Sequence, residues 1–227
     1  MDTRLMFFYD PKVNYTLFSS GKCGTSGLYD QFTKLYDTIN YKPEIDQSLF
    51  TYDPKGNHTH IPLYSLSPNG YVRIRKDINK QINYIIIRDP TDRLLSGLMQ
   101  NLYLFYQTLD LDNVDQSIYS TQSSNHYHIG EFLSAFDSAI LKNSTFVLLS
   151  DLSKFQQFLF NSPPVCNNRS LDKVFRAQNY KIISNKVIYN YFAEQVRKKK
   201  IPKEIQDLLK LENKAYRKIL QASTIWR

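Results

Sequence analysis

Residues 83–96 read Asn83-Tyr-Ile-Ile-Ile-Arg-Asp-Pro-Thr-Asp-Arg-Leu-Leu-Ser96, and two structural signals meet in them. The first half is a continuous apolar run, the pattern of a central strand covered on both faces. Asp89 then supplies a helix N-cap and Pro90 a first-turn proline. Leu94, Leu95, Leu98, Met99, Leu102 and Phe105 follow at helical spacing. A buried strand that runs straight into an amphipathic helix is half of a βαβ unit.

The same grammar recurs on either side. Upstream, Tyr15-Thr-Leu-Phe18 is a short β-prone run, Ser19-Ser-Gly-Lys-Cys-Gly24 a small-residue loop, and Leu28, Phe32, Leu35 and Ile39 mark a helix. Downstream, the spacing predicts an amphipathic helix over Ile129–Leu141, a strand at Phe146-Val-Leu-Leu149 and a helix capped by Asp151. Residues 161–168, with Pro163 and Pro164, read as a loop. Pro202 opens a last helix with Ile205, Leu208, Leu209, Tyr216, Ile219 and Leu220 on one face. Lys42–Lys80 carries no assignable pattern. Strands alternating with helices imply an α/β fold around a parallel sheet, and 227 residues suit one domain spanning 1–227.

Composition narrows the class. With 42% hydrophobic and 22% charged residues, the chain is neither fibrous nor disordered. The 29 basic residues against 21 acidic leave a formal charge of +8, which favours an anionic partner. Part of that excess lies in Arg197-Lys-Lys-Lys200, read as a solvated helix end. Cys23 and Cys166 are the only cysteines, so there is no disulfide framework and no metal-binding CxxC, and a reducing, cytoplasmic setting is the simpler assumption. No run of 18 uncharged apolar residues predicts a membrane span, and the N-terminal apolar run is too short for a signal peptide.

The loop Ser20-Gly-Lys-Cys-Gly-Thr-Ser26 has what an anion needs: backbone N–H groups freed by small residues, a helix start and a lysine. It departs from the Walker A pattern, in which lysine follows the last glycine and precedes a magnesium-binding hydroxyl, because Lys22 comes before Gly24. In these residues the chain resembles the sulfotransferases that use 3′-phosphoadenosine 5′-phosphosulfate (PAPS), in particular their carbohydrate-type branch. Gly21-Lys-Cys-Gly-Thr-Ser26 is similar to the 5′-phosphosulfate loop of that family, with Gly21 where proline is usual. Ile87-Arg-Asp-Pro-Thr-Asp-Arg-Leu-Leu-Ser96 is similar, without gaps, to its 3′-phosphate motif. Leu148-Leu-Ser-Asp-Leu-Ser-Lys-Phe155 resembles a late strand and turn of the same family.

The resemblance implies a P-loop-type three-layer fold, with a central parallel β-sheet flanked by helices, and direct in-line transfer of a sulfuryl group from PAPS to a hydroxyl acceptor, a glycan or a small molecule. It implies no metal, no nucleic acid and a cytoplasmic enzyme, with adenosine 3′,5′-bisphosphate as the spent donor. Ser20, Gly21, Lys22, Cys23, Gly24, Thr25 and Ser26 are then the 5′-phosphosulfate cradle, and Arg88 and Ser96 the 3′-phosphate contacts. Lys22 is also the cation that neutralises charge on the breaking bond, whereas Arg93 reads as structural. Cys23 is not expected to act as a nucleophile, because transfer in this family is direct.

Histidines occur as Asn57-His-Thr-His60 and Asn125-His-Tyr-His128. No Cys or acidic cluster accompanies them, so they read as surface residues sooner than metal ligands. His60-Ile-Pro-Leu-Tyr-Ser-Leu66 resembles the segment that carries the acceptor's general base in some members, which makes His60 the candidate base, with His58, Glu44 and Glu131 as alternatives. Two other classes share parts of this pattern: a P-loop nucleotide kinase, disfavoured by the position of Lys22, and a non-catalytic nucleic-acid or glycan-binding domain, favoured by charge and aromatic content alone.

Overall fold

The computed structural model describes residues 4–10, 15–24, 27–28, 51–52, 64–65, 82–105, 111, 114, 116–119, 129–136, 138–161 and 184–227. Its strands are β1 (Arg4–Asp10), β2 (Tyr15–Ser20), β3 (Thr51–Tyr52), β4 (Tyr64–Ser65), β5 (Ile82–Ile87), β6 (Ser144–Leu148) and β7 (Thr224–Ile225). Its helices are α1 (Pro90–Phe105), α2 (Ser138–Asn143), α3 (Leu152–Phe160), α4 (Asn185–Arg197) and α5 (Lys203–Ala222). They form an α/β arrangement in which one seven-stranded sheet runs β3-β4-β1-β2-β5-β6-β7.

Four strands, β2, β5, β6 and β7, are parallel, with Ser19 opposite Ile86 and Ile86 opposite Val147. The expected parallel sheet is therefore one half of a mixed sheet: β1 pairs antiparallel with β2 and with β4, and β3 antiparallel with β4. A four-residue connection from Asp10 to Tyr15 permits only an antiparallel neighbour, since a parallel crossover needs a dozen residues or more.

Strand β5 is covered on both faces, because Tyr84, Ile85, Ile86 and Ile87 are all buried although successive side chains point to opposite sides. One core cluster joins Leu17, Phe18 and these β5 residues to Phe146, Val147, Phe132, Phe155 and Ile219. The second joins Leu94, Leu95, Leu98 and Leu102 of α1 to Ile188 and Phe192 of α4 and to Ile201 and Ile205. No described helix is long and apolar enough to cross a membrane.

Two expected elements differ. The helix over Ile129–Leu141 is broken: a 3-10 turn at Leu133–Ala135 precedes an extended Phe136 (φ −77, ψ 129), and α2 begins only at Ser138. Glu212 holds the start of this turn, its carboxylate accepting the amides of Phe132 (3.0 Å), Leu133 (2.9 Å) and Ser134 (2.9 Å) and the Ser134 hydroxyl (2.6 Å). Those donors are satisfied from outside and do not need a preceding helical turn. In α5, Ile205 and Ile219 are buried as expected, but Leu220 is 43% exposed and the face is completed by Glu212, 3% exposed. Asp151 occupies the N-cap position of α3 without a side-chain capping bond.

Candidate functional site

The parallel strands β2 and β5 end side by side, and each hands over to a segment singled out by the sequence. After β2 the chain turns at Gly21–Gly24, closed by Cys23 N–H donating to the Ser20 carbonyl at 3.1 Å. Lys22 (φ 68) and Gly24 (φ 79) both adopt left-handed backbone. Glycine suits that conformation and lysine does not. A Cβ at Gly24 would also overlap Leu152 Cδ2 and stand 3.1 Å from Leu149 Cδ1. Glycine is thus required twice over, and the 148–155 segment forms the floor under the loop.

Cys23 points into the core with 0% exposure. Its thiol lies 3.3 Å from Ser20 Oγ, its carbonyl accepts from Ser19 Oγ at 2.8 Å, and burial pushes its pKa up. A buried thiol held in its neutral form is a poor nucleophile. The residue anchors the turn.

After β5, Asp89 Oδ1 accepts the amides of Thr91 (2.8 Å) and Asp92 (3.1 Å), the expected N-cap of α1. Helical spacing then aligns Asp89, Arg93, Ser96 and Gln100 on one face. Arg93, 5% exposed, is structural, as its neighbours explain. Its Nε donates to Ser20 Oγ (3.2 Å) and the Gly21 carbonyl (3.3 Å), its Nη1 to the Gly130 carbonyl (2.8 Å), and its guanidinium lies 5.3 Å from the Phe132 ring centroid. One buried guanidinium thereby ties the loop to α1 and to the segment that Glu212 holds.

Arg88 and Lys22 complete the site. Arg88 Nη1 donates to the Lys22 carbonyl at 3.2 Å, and Lys22 Nζ donates to Gln100 Oε1 at 2.7 Å. Burial first, and the Arg88 charge second, lower the Lys22 pKa from its ordinary 10.5 to about 8. Neither cation has a carboxylate within ion-pair distance among the described residues. Ser96, half-buried, lies one helical turn before Gln100 on the same face.

The structure thus brings together Ser20, Gly21, Lys22, Cys23, Gly24 and Arg88, with Ser96 on the adjoining helix face. Thr25, Ser26, Glu44, His58, His60, His126 and His128 lie outside the described residues. Glu131 is half-buried and accepts from Ser134 Oγ at 3.1 Å. Gln100 escaped the sequence reading, although its i+4 spacing from Ser96 is a signal that finds it. No protein-family model, curated protein or solved structure matches this chain.

Proposed function

We propose that this chain is a PAPS-dependent sulfotransferase with a P-loop-type three-layer fold, transferring a sulfuryl group directly to a hydroxyl acceptor, a carbohydrate, in a cytoplasmic setting. The observation that carries the proposal is the meeting of Lys22 and Arg88 at the carboxyl ends of two adjacent parallel strands, from positions 66 residues apart in sequence. Ligands of open α/β sheets bind at such strand ends. Two cations held together, without a carboxylate to balance them among the described residues, suit a dianionic group, and the Lys22 pKa is depressed by burial first and by the Arg88 charge second, both of which a bound anion would offset. The donor set therefore fits a nucleotide bearing phosphate and phosphosulfate.

When bound, PAPS supplies the activated sulfuryl group. The chain's own residues orient it and stabilise charge. Lys22 Nζ, released from Gln100, neutralises negative charge at the phosphosulfate, and Arg88 with Ser96 holds the 3′-phosphate. Arg93 keeps Ser20 and Gly21 in position without touching the donor. Most of the acceleration then comes from positioning and fixed electrostatics, as in phosphoryl transfer. His60 serves as the acceptor's base in this proposal.

Calorimetry tests the donor assignment. Adenosine 3′,5′-bisphosphate should bind at least about tenfold more tightly than adenosine 5′-phosphate, since one charge-assisted contact is worth roughly 1.5–3 kcal/mol, and Arg88→Ala should abolish the difference. Equal affinities, or an Arg88→Ala protein that still discriminates, would remove the assignment. Magnesium-dependent phosphoryl transfer from ATP would instead make the chain a kinase.

A further inference from the structure

The charge of this protein is concentrated at one end of the chain. Residues 184–227 contain eleven Lys or Arg against four Asp or Glu, almost the whole of the formal excess of +8. Helical spacing gathers part of this charge into one stripe of α5: Asn213, Lys214, Arg217, Lys218 and Gln221 share a face. In the fold that stripe is one wall of an open groove of about 890 Å³, whose other wall includes Lys199 and, from the first turn of α1, Thr91. From Lys210 to Gln221 the wall is about 16 Å long, at roughly 1.5 Å per helical residue.

Two features of this groove work against stability. Lys214, Arg217 and Lys218 have no acidic partner within ion-pair distance among the described residues, whereas Lys210 at the rim is paired with Asp207 at 2.7 Å. The like charges at i,i+3 and i,i+4 repel each other along the helix. Lys199 has φ 54 and occupies the turn after α4. There Lys199 N–H donates to the Val196 carbonyl (3.1 Å) and Lys200 N–H to the Gln195 carbonyl (2.9 Å), the two bonds of a Schellman motif. Glycine is the favoured residue at that left-handed position. A lysine there, facing three uncompensated cations, makes sense as a ligand contact.

The donor chemistry selects the ligand. Cations alternate with the amides of Asn213 and Gln221 and the Thr91 hydroxyl, a set that binds carboxylate or sulfate groups and the hydroxyls between them. No aromatic residue is among the described residues that line the groove, so these offer no stacking platform for nucleic-acid bases. The cations of α5 fall in a row along this wall of about 16 Å, which suits an extended chain carrying repeated anionic groups. We propose that this groove binds an acidic polysaccharide. That binding stands on the groove alone; naming the polysaccharide as the acceptor rests on the sulfotransferase reading. The groove reaches the first turn of α1 at Thr91, two residues from the arginine that holds Ser20 and Gly21.

The test is heparin affinity, measured by calorimetry at several salt concentrations with the full chain. A Lys214→Ser/Arg217→Ser/Lys218→Ser protein should bind heparin at least about tenfold more weakly and with a shallower salt dependence. A Lys142→Ser/Lys154→Ser/Lys186→Ser protein removes the same charge from exposed positions elsewhere and should bind nearly as the parent does. Lys199→Gly should bind heparin more weakly while unfolding at a higher temperature, two effects that a purely structural role would not combine. Equal weakening by the two triple variants would overturn the proposal. So would a size-matched oligo(dT), or vesicles containing phosphatidylserine, that displaced heparin from the parent. Adenosine 3′,5′-bisphosphate, titrated into the same proteins, separates the two readings. Failure of the parent to bind it would remove the sulfotransferase assignment and leave the groove; parental bisphosphate affinity without a groove effect would do the reverse.

Discussion

Lys22→Met should make the protein more stable and less active at neutral pH. Lys22 is protonated at pH 7 in both folded and unfolded chains, but its pKa falls from 10.5 to about 8 on folding, through burial and the Arg88 charge. Each unit of that fall corresponds to about 1.4 kcal/mol, so the charged lysine destabilises the folded state by about 3 kcal/mol. Methionine fills similar space without the charge and forfeits the charge-assisted bond to Gln100, worth roughly 1.5–3 kcal/mol, which leaves a net gain of up to about 1.5 kcal/mol. The sign follows from proton binding. A folded pKa below the unfolded one means that the unfolded chain binds more protons between pH 8 and 10.5, so the parent regains stability as pH rises through that window. Urea unfolding of both proteins at intervals from pH 7 to 10.5 measures the difference, in which other titrating groups cancel. The advantage of Lys22→Met should be level near pH 7 and then shrink by about 1.4 kcal/mol per unit above pH 8. A variant less stable than the parent at pH 7, or a difference independent of pH, would refute the burial of Lys22 beside Arg88. Turnover should fall more than donor affinity; a kcat within about threefold of the parent would deny Lys22 its part in charge neutralisation.

Glu212→Gln should lower unfolding free energy by about 2–4 kcal/mol, because an amide cannot accept three backbone N–H groups and a hydroxyl as a carboxylate does; chemical denaturation reads the loss. Gly24→Ala should destabilise by at least about 1 kcal/mol through its positive φ and its overlap with Leu152, and Leu152→Ala in the same chain should recover the steric part in a double-mutant cycle. His60→Ala should keep bisphosphate affinity yet lose about 10²–10⁴ in kcat, and the parent rate should fall as pH drops through the histidine range; near-parental turnover would pass the role to His58 or a carboxylate.

The parallel half of the sheet was legible because its signals are local. A strand buried on both faces is apolar at every position, as in Tyr84–Ile87, and Asp89-Pro90 carries its own cap. The juxtaposition of Lys22 and Arg88 was legible only through the pairing of two motifs. The rest depends on partners distant in sequence. Strand β1, Arg-Leu-Met-Phe-Phe-Tyr-Asp, lacks a regular alternation of polar and apolar residues, and its pairing with β2 and β4 decides its role. Helix α4 was read only at its solvated end, Arg197-Lys-Lys-Lys200, because Val187, 49% exposed, and the run of apolar and aromatic residues around it blur the stripe that Ile188 and Phe192 form. Glu212 falls at the spacing of an otherwise apolar face, and the amides it binds lie about eighty residues earlier, out of reach of any local pattern. Leu220 was assigned to that face by spacing alone, and it is 43% exposed.

The line of contacts from Glu212 through the 132–134 turn and Arg93 to Ser20 and Gly21 has a consequence for the order in which the protein matures. During synthesis residues 20–24 leave the ribosome about 190 residues before the carboxylate that steadies their support, and domains fold only as complete units emerge. Strand β7 arrives later still, where Trp226 N–H donates to the Phe146 carbonyl at 2.8 Å. A nascent chain stalled short of residue 212 therefore has β2 and β5 but no fixed loop between them, and contacts of such long sequence separation form slowly. Competence to grip an anion should thus appear late and abruptly, once α5 and β7 have emerged, and a nicked protein that lost α5 should lose the loop's amide-exchange protection along with it.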